Sequence, residues 1–140
     1  MQLATAELVN EIAADPKVRE MMFLGMRYPD NDLDFSGALE DSKNVALEEG
    51  GFCAVFMWSA PGVYECHIMA RKEARGVESM RIGRAMLAYM KELGAKMIWG
   101  QPSVYNKAAI CYIRRMGLSP AGFGSHGILG DVQYFVKEGL

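Results

Sequence analysis

Two runs of apolar residues dominate the middle of the chain, GFCAVFMW at 51–58 and GVYECHIM at 62–69. Both are short, rich in aromatic and β-branched residues, and bounded by turn formers, so both predict strands. Between them, Pro61 then Gly62 suit the two central positions of a type II turn, which predicts a hairpin. After Gly76 the period changes. Met80, Gly83, Leu87 and Met90 form a stripe at helical spacing with Ile82, Met86 and Leu93 beside it, while Arg81, Arg84, Lys91 and Glu92 face elsewhere. A helix over 76–93 follows, with Gly94 as its C-cap. KMIWG at 96–100 predicts a short buried strand, and YNKAAICYIRRM at 105–116 a helix ended by Gly117. LSPAGFG at 118–124 and VQYFVKE at 132–138 predict two closing strands.

The N-terminal third is helical in pattern. TAELVNEIAA predicts a helix capped by Thr5, and DPKVREMM a second with Asp15 as cap and Pro16 in its first turn. YPDNDLDFSG at 28–37 is turn-rich, and KNVAL at 43–47 predicts a short strand. The strand–helix–strand crossover sets 63–69 parallel to 96–100, whereas the hairpins are antiparallel. The expected class is therefore α+β with a mixed sheet. No repeat or linker divides the 140 residues, so 1–140 reads as a single domain.

Composition narrows the function classes. The net charge of −2, from 15 basic and 17 acidic side chains, argues against a general nucleic-acid or membrane-surface binder. The longest apolar stretch, Phe52 to Trp58, is far too short to span a membrane. Cys53, Cys66 and Cys111 lack disulfide or metal spacing. They read as reduced core residues of a cytoplasmic protein, and no metal site is expected. The N-terminus has acids and no basic-then-apolar order, so it does not read as a signal peptide. The many methionines read as a plastic core.

Two places carry candidate chemistry. Arg71, Lys72 and Arg75 form a basic cluster that leads through Gly76 into a helix N-terminus, the layout of an anion site. Glu78, in the first turn, stands where the anion's charge would lie. In the plain alternative Gly76 eases entry into the helix and Glu78 complements its dipole, worth about 0.3–1 kcal/mol. Glu65 and His67 share a strand face with Met69. They fit either an acid–base pair or a Glu–His pair on the solvated side of a sheet. His126, in a glycine-rich loop between the last strands, could line a substrate pocket but reads as part of a plain turn, and Trp58 and Trp99 read as core aromatics rather than substrate platforms.

NKAAICYIRRMGL resembles the second motif of the GNAT N-acetyltransferases, N-x-x-A-x-x-x-Y-x-x-x-G-F. Asn106, Ala109 and Gly117 match, Leu118 stands for the Phe, and Ile113 stands for the Tyr. Of the first motif, R/Q-x-x-G-x-G/A, only Arg75-Gly76 is kept in place. Glu78 and Met80 occupy the later glycine positions, and Ile82-Gly83-Arg84 lies too deep in the helix to serve. The stretch GVYECHIMARKEARG is more similar to divergent GNAT-like proteins of phages and prophages. The resemblance covers roughly residues 44–137.

This resemblance implies a largely antiparallel twisted sheet with a central splayed parallel pair and flanking helices. It implies acetyl-CoA (or CoA) held by Met69, Ala70, Arg71, Arg75, Gly76, Val77, Glu78, Ser79 and Met80, with Asn106 and Ala109 on the next helix. Glu65 is the implied general base, His67 its companion, and Tyr112, next to Ile113, the candidate acid. The acceptor is a primary amine, small molecule or protein, attacking directly in a ternary complex. A homodimer through an edge formed by VQYFV is a further expectation. The rival expectation is a catalytically silent relative with a phage or host protein partner, virion-associated if phage-encoded.

Overall fold

A computed structural model describes residues 1–22 and 33–140. The first half of the 28–37 stretch expected to be turn-rich, residues 28–32, lies outside the described residues; its end, Ser36 and Gly37, instead begins a short helix, Ser36–Glu40.

In chain order the elements are β1 (Gln2–Leu3), α1 (Ala6–Ala14), α2 (Pro16–Met22), α3 (Ser36–Glu40), β2 (Val45–Glu49), β3 (Phe52–Ala60), β4 (Val63–Ala70), α4 (Val77–Glu92), β5 (Met97–Gly100), α5 (Lys107–Arg115), β6 (Ser119–His126) and β7 (Gly130–Glu138). A single 3₁₀ turn, Lys72–Ala74, separates β4 from α4. The strands form one mixed sheet in the order β1-β2-β3-β4-β5-β7-β6. All neighbours are antiparallel except β4 and β5.

Local chemistry explains the boundaries. The Thr5 side chain accepts from the Leu8 N–H at the start of α1, and Asp15 Oδ1 accepts from the Lys17 N–H at the start of α2. Gly62, with φ +76°, takes the left-handed position of the β3–β4 turn, as the Pro-Gly pair requires. Both later helices end in the same motif. At α4 the N–H of Ala95 reaches the Met90 carbonyl and that of Gly94 the Lys91 carbonyl. At α5, Leu118 and Gly117 do the same with Ile113 and Arg114.

Period-two alternation along β3 feeds two cores. Cys53 and Val55, with Ala46 and Met69, meet Val9, Ile12, Ala13 and Val18 of α1 and α2. Phe52, Ala54 and Phe56, with Ile98 and Phe135, meet Ile82, Met86, Met90 and Met116 on the side of α4 and α5.

Several expectations are corrected here. The buried line of α4 runs through Ser79, Ile82, Gly83, Met86 and Met90, and Leu93 is 51% exposed. The VQYFV segment is not an edge: β7 lies between β5 and β6, and β6 is the rim strand. Cys53 is buried, but Cys66 is half-buried and Cys111 exposed. Neither Trp is a core residue. Trp58 is exposed beneath the Lys43 ammonium, and Trp99 is half-buried.

The feature that positions the site is the β4–β5 pairing. It lasts only from Val63–Met97 to Glu65–Trp99. Beyond Glu65, β4 stays paired with β3 as far as Ala70, while β5 ends at Gly100. The two strands part at Glu65.

Candidate functional site

Glu65 sits at the apex of this opening. Its Oε2 accepts from Gln101 Nε2 at 2.7 Å, and its Oε1 lies 3.3 Å from His67 Nε2. Burial pushes the Glu65 carboxyl upward, but the His67 hydrogen bond and charge, the Gln101 donor and the His126 charge outweigh it. The carboxyl is held below its ordinary value. The site therefore presents an ionised carboxylate at neutral pH, held by one donor from β4 and one from the residue that follows β5. The strand periodicity that placed Glu65 and His67 on one face is borne out. Met69, on that same face, is fully buried under α1 and α2.

On the other face of β4 lies Cys66, packed toward α4 and α5. Burial first, with Cys53 and the Glu65 carboxylate nearby, pushes its thiol up to about 12. It stays protonated and is no nucleophile at neutral pH.

The α4 N-terminus opens beside the diverging end of β4. Gly76 adopts φ +120°, which frees the chain to turn from the 3₁₀ segment into the helix. The N–H groups of Gly76, Val77 and Glu78 precede the first intrahelical bond, as at any helix start. The Ser79 N–H and hydroxyl both turn back to the Gly76 carbonyl. Val77 is 92% exposed. Glu78 points away from this opening, its Oε2 2.8 Å from Arg81 Nε, and Arg81 also pairs with Glu49. Glu78 is exposed and shares Arg81 with Glu49, so its charge at this helix start is only partly offset. Met80 is half-buried against the core.

The cations do not converge as the sequence suggested. Arg75 donates to the Ala70 carbonyl from Nε and Nη2 (3.1 and 3.0 Å) and to the Lys17 carbonyl from Nη2 (3.1 Å). It ties the end of β4 to α2. Arg71 pairs with Glu11 of α1 at 3.3 Å, and its Nε is buried without a partner among the described residues.

Asn106 caps α5, its Oδ1 accepting from the Ala109 N–H, while its Nδ2 donates to the Met21 carbonyl at 2.9 Å. Two side chains that the resemblance gives to a cofactor, Arg75 and Asn106, therefore both donate to carbonyls of α2. Tyr112 packs on Phe52 and donates its hydroxyl to the Ser79 carbonyl at 2.7 Å. That bond pins α5 to the first turn of α4, on the face of the sheet opposite Glu65. Burial, first, and the neighbouring Cys66 push its phenol well above the usual range.

Sequence reasoning missed the roles of two residues, Gln101 and Gly83, and weighed a third. Gln101 follows a strand end and had no motif to flag it. Gly83 was set aside as a false motif, yet it is the point where Tyr112 and Met116 of α5 come nearest to α4. The third is His126. It ends β6, and its Nδ1 accepts from the N–H groups of Ile128 and Leu129 in the turn that follows. An open hollow of about 540 Å³ lies elsewhere, lined by residues such as Leu3, Leu39, Asn44 and Tyr89 at the β1–β2 end. It holds none of this chemistry. Among the described residues no three His, Cys, Asp or Glu side chains gather as metal ligands would, and no helix is long and apolar enough to cross a membrane.

By sequence, no known protein family and no curated protein matches this chain. By structure the likeness is extensive. An aminoglycoside acetyltransferase, AAC(6')-Ib, solved with coenzyme A, superposes with a TM-score of 0.72 over 98% of this chain and 92% of its own, at 17% identity. The chain has the GNAT acetyltransferase fold. The same enzyme solved with paromomycin and acetyl-CoA gives a TM-score of 0.72 at 16% identity, covering 98% of this chain and 91% of its own. A variant of spermidine N-acetyltransferase SpeG from Vibrio cholerae gives 0.70 at 11% identity, covering 98% and 93%. At such identities the likeness speaks for the fold, and the chemistry rests on this chain's own residues.

Proposed function

We propose that this protein is an acetyl-CoA-dependent N-acetyltransferase acting on a primary amine. The observation that carries the reading is the parting of β4 and β5 at Glu65, with an ionised carboxylate at the apex. The parted edges of β4 and β5 offer backbone groups to an extended ligand arm. The N–H groups of Gly76, Val77 and Glu78 suit a pyrophosphate at a helix start. Met69, Ala70, Ser79 and Met80 flank that path, and Asn106 and Ala109 stand across it. Arg71, Lys72 and Arg75 supply positive charge nearby. Acetyl-CoA, bound there, supplies an activated acetyl thioester.

Glu65 takes the proton released as the amine nitrogen bonds to the acetyl carbon and the thiolate departs, directly or through one water. His67 and Gln101 hold the carboxylate in place for this transfer. Cys66 takes no part, so no acyl-enzyme forms and both substrates are present together. We assign Tyr112 to positioning, because its hydroxyl is spent on the Ser79 carbonyl; the thiolate then leaves without it. The rival reading is a silent protein with a phage or host partner. It draws on Ile113 in the tyrosine position and on the engagement of Arg75 and Asn106 with α2.

The test is calorimetric titration of acetyl-CoA and desulfo-CoA, followed by thiol release with an amine panel. Micromolar cofactor binding, weakened by Val77→Asp at the helix start, is expected. Glu65→Gln should lower kcat by about 10²–10⁴-fold while leaving cofactor affinity unchanged. No binding at millimolar cofactor would overturn the reading in favour of the silent protein.

A further inference from the structure

The face of the sheet that carries Glu65 is covered by α1 and α2 over β2, β3 and the end of β4. Over β5 and β7, Trp99 and Tyr134 belong to neither core and remain half-exposed. Trp99 pairs with Glu65 across the parallel strands, so the two side chains rise from the same face, side by side. Trp99 Nε1 donates to Ser59 Oγ of β3 at 3.0 Å. Because β3 and β5 flank β4, the indole must lie across β4. The Tyr134 ring stands 6.4 Å from the indole and is inclined to it by 50°, forming an open aromatic corner. The position of Tyr134 depends on Gly124. A Cβ there would collide with the Tyr134 hydroxyl and come within 2.6 Å of its Cε2.

From this juxtaposition we propose that the acceptor site, whose existence rests on the acetyltransferase reading above, takes a primary amine carrying a flat apolar or aromatic body. The ammonium is drawn to Glu65, and the body rests against Trp99 and Tyr134. A carboxylate beside an aromatic corner matches one charged end and one flat body. Aromatic faces attract cations and apolar groups alike, and a rigid corner holds a ring with little ordering cost. A polycation needs further carboxylates near the first. Of the other described strand carboxylates on this face, Glu48 is buried on β2 and accepts from Gln2 Nε2 and the Gly51 N–H, and Glu138 is exposed at the rim opposite Met97, where an ion pair contributes little. The substrates named for the structural neighbours are polyamines and aminoglycosides. This chain departs from them.

The experiment uses the full chain with Trp58→Phe, which leaves Trp99 as the fluorescent reporter. Phenethylamine, spermidine and kanamycin are titrated without cofactor, then compared as acetyl acceptors. Phenethylamine is expected to quench Trp99 with a Kd at least tenfold below that of either polycation. Gly124→Ala, which displaces Tyr134, should raise that Kd and the acceptor KM severalfold while acetyl-CoA affinity stays unchanged. Tyr134→Leu is a second route to the same loss. Equal or tighter polycation binding, or an unchanged Kd in both variants, overturns the proposal. Failure to bind acetyl-CoA would sink the acetyltransferase reading alone, because the fluorescence titration reads the amine site without cofactor.

Discussion

Replacing Gly83 by Ala separates two accounts of that residue. Gly83 lies in the middle of α4, where alanine would ordinarily stabilise a helix by about 0.5–1 kcal/mol. Here a Cβ would collide with the Tyr112 hydroxyl and stand 2.8 Å from Met116 Sδ and 3.1 Å from Tyr112 Cζ. Tyr112 must swing away, and its hydrogen bond to the Ser79 carbonyl goes with it. Loss of that bond costs about 0.5–1.5 kcal/mol, and forcing an extra methyl into a packed contact costs about 1–3 kcal/mol. Set against the helix gain, Gly83→Ala should be destabilising by about 0.5–4 kcal/mol. Urea unfolding of the wild type and variant measures this through the shift in midpoint at constant slope. The Tyr112→Phe background supplies the internal check. Without the hydroxyl the worst collision disappears, so the same glycine change should cost at least about 1 kcal/mol less, a coupling typical of residues in contact. If Gly83→Ala is neutral or stabilising in the wild-type background, the close approach of α5 to α4 is refuted.

Two further outcomes are expected. The folded-state pKa of Glu65 is depressed, so its interactions stabilise the fold above the unfolded carboxyl value and are lost as pH falls through the folded value. Glu65→Gln should thus be less stable than wild type at pH 7, with the gap closing in the range below the ordinary value of 4.5; thermal unfolding across pH 3–7 measures it, and a gap that widens on acidification would contradict the geometry. Thiol labelling of the native protein should modify exposed Cys111 fast. Cys53 and Cys66, both held near 12, should react only on unfolding, and prompt labelling of Cys66 would contradict its packing.

Much of the architecture was legible because local signals agreed with the global fold. Thr5 and Asp15 cap as their types predict, the Pro61-Gly62 turn forms, and the parallel crossover follows from strand–helix–strand order. The Glu65–His67 pair was legible from period two alone. What the sequence hid was set by tertiary contact. Arg75 and Asn106 carry the right donors at the right places, but no local pattern says that α2 would present its carbonyls to both. Gln101 gains its role only because β5 ends beside Glu65. The partners of Gly83 arrive from a helix that starts 24 residues later, at Lys107, so period analysis saw only a gap in the stripe. Trp99 read as core because its strand is apolar, yet among the described residues no helix packs over its face.

The short seam between β4 and β5 has a mechanical consequence. The sheet is two antiparallel leaves, β1-β2-β3-β4 and β5-β7-β6, stitched by three paired positions. Within each leaf the long hairpins share load over many rungs, so strain from a wedged ligand concentrates at the stitch. That line runs through Glu65 and Trp99, with the Gln101–Glu65 and Trp99–Ser59 hydrogen bonds across it. Amide exchange along that line should be slowed when a ligand fills the gap.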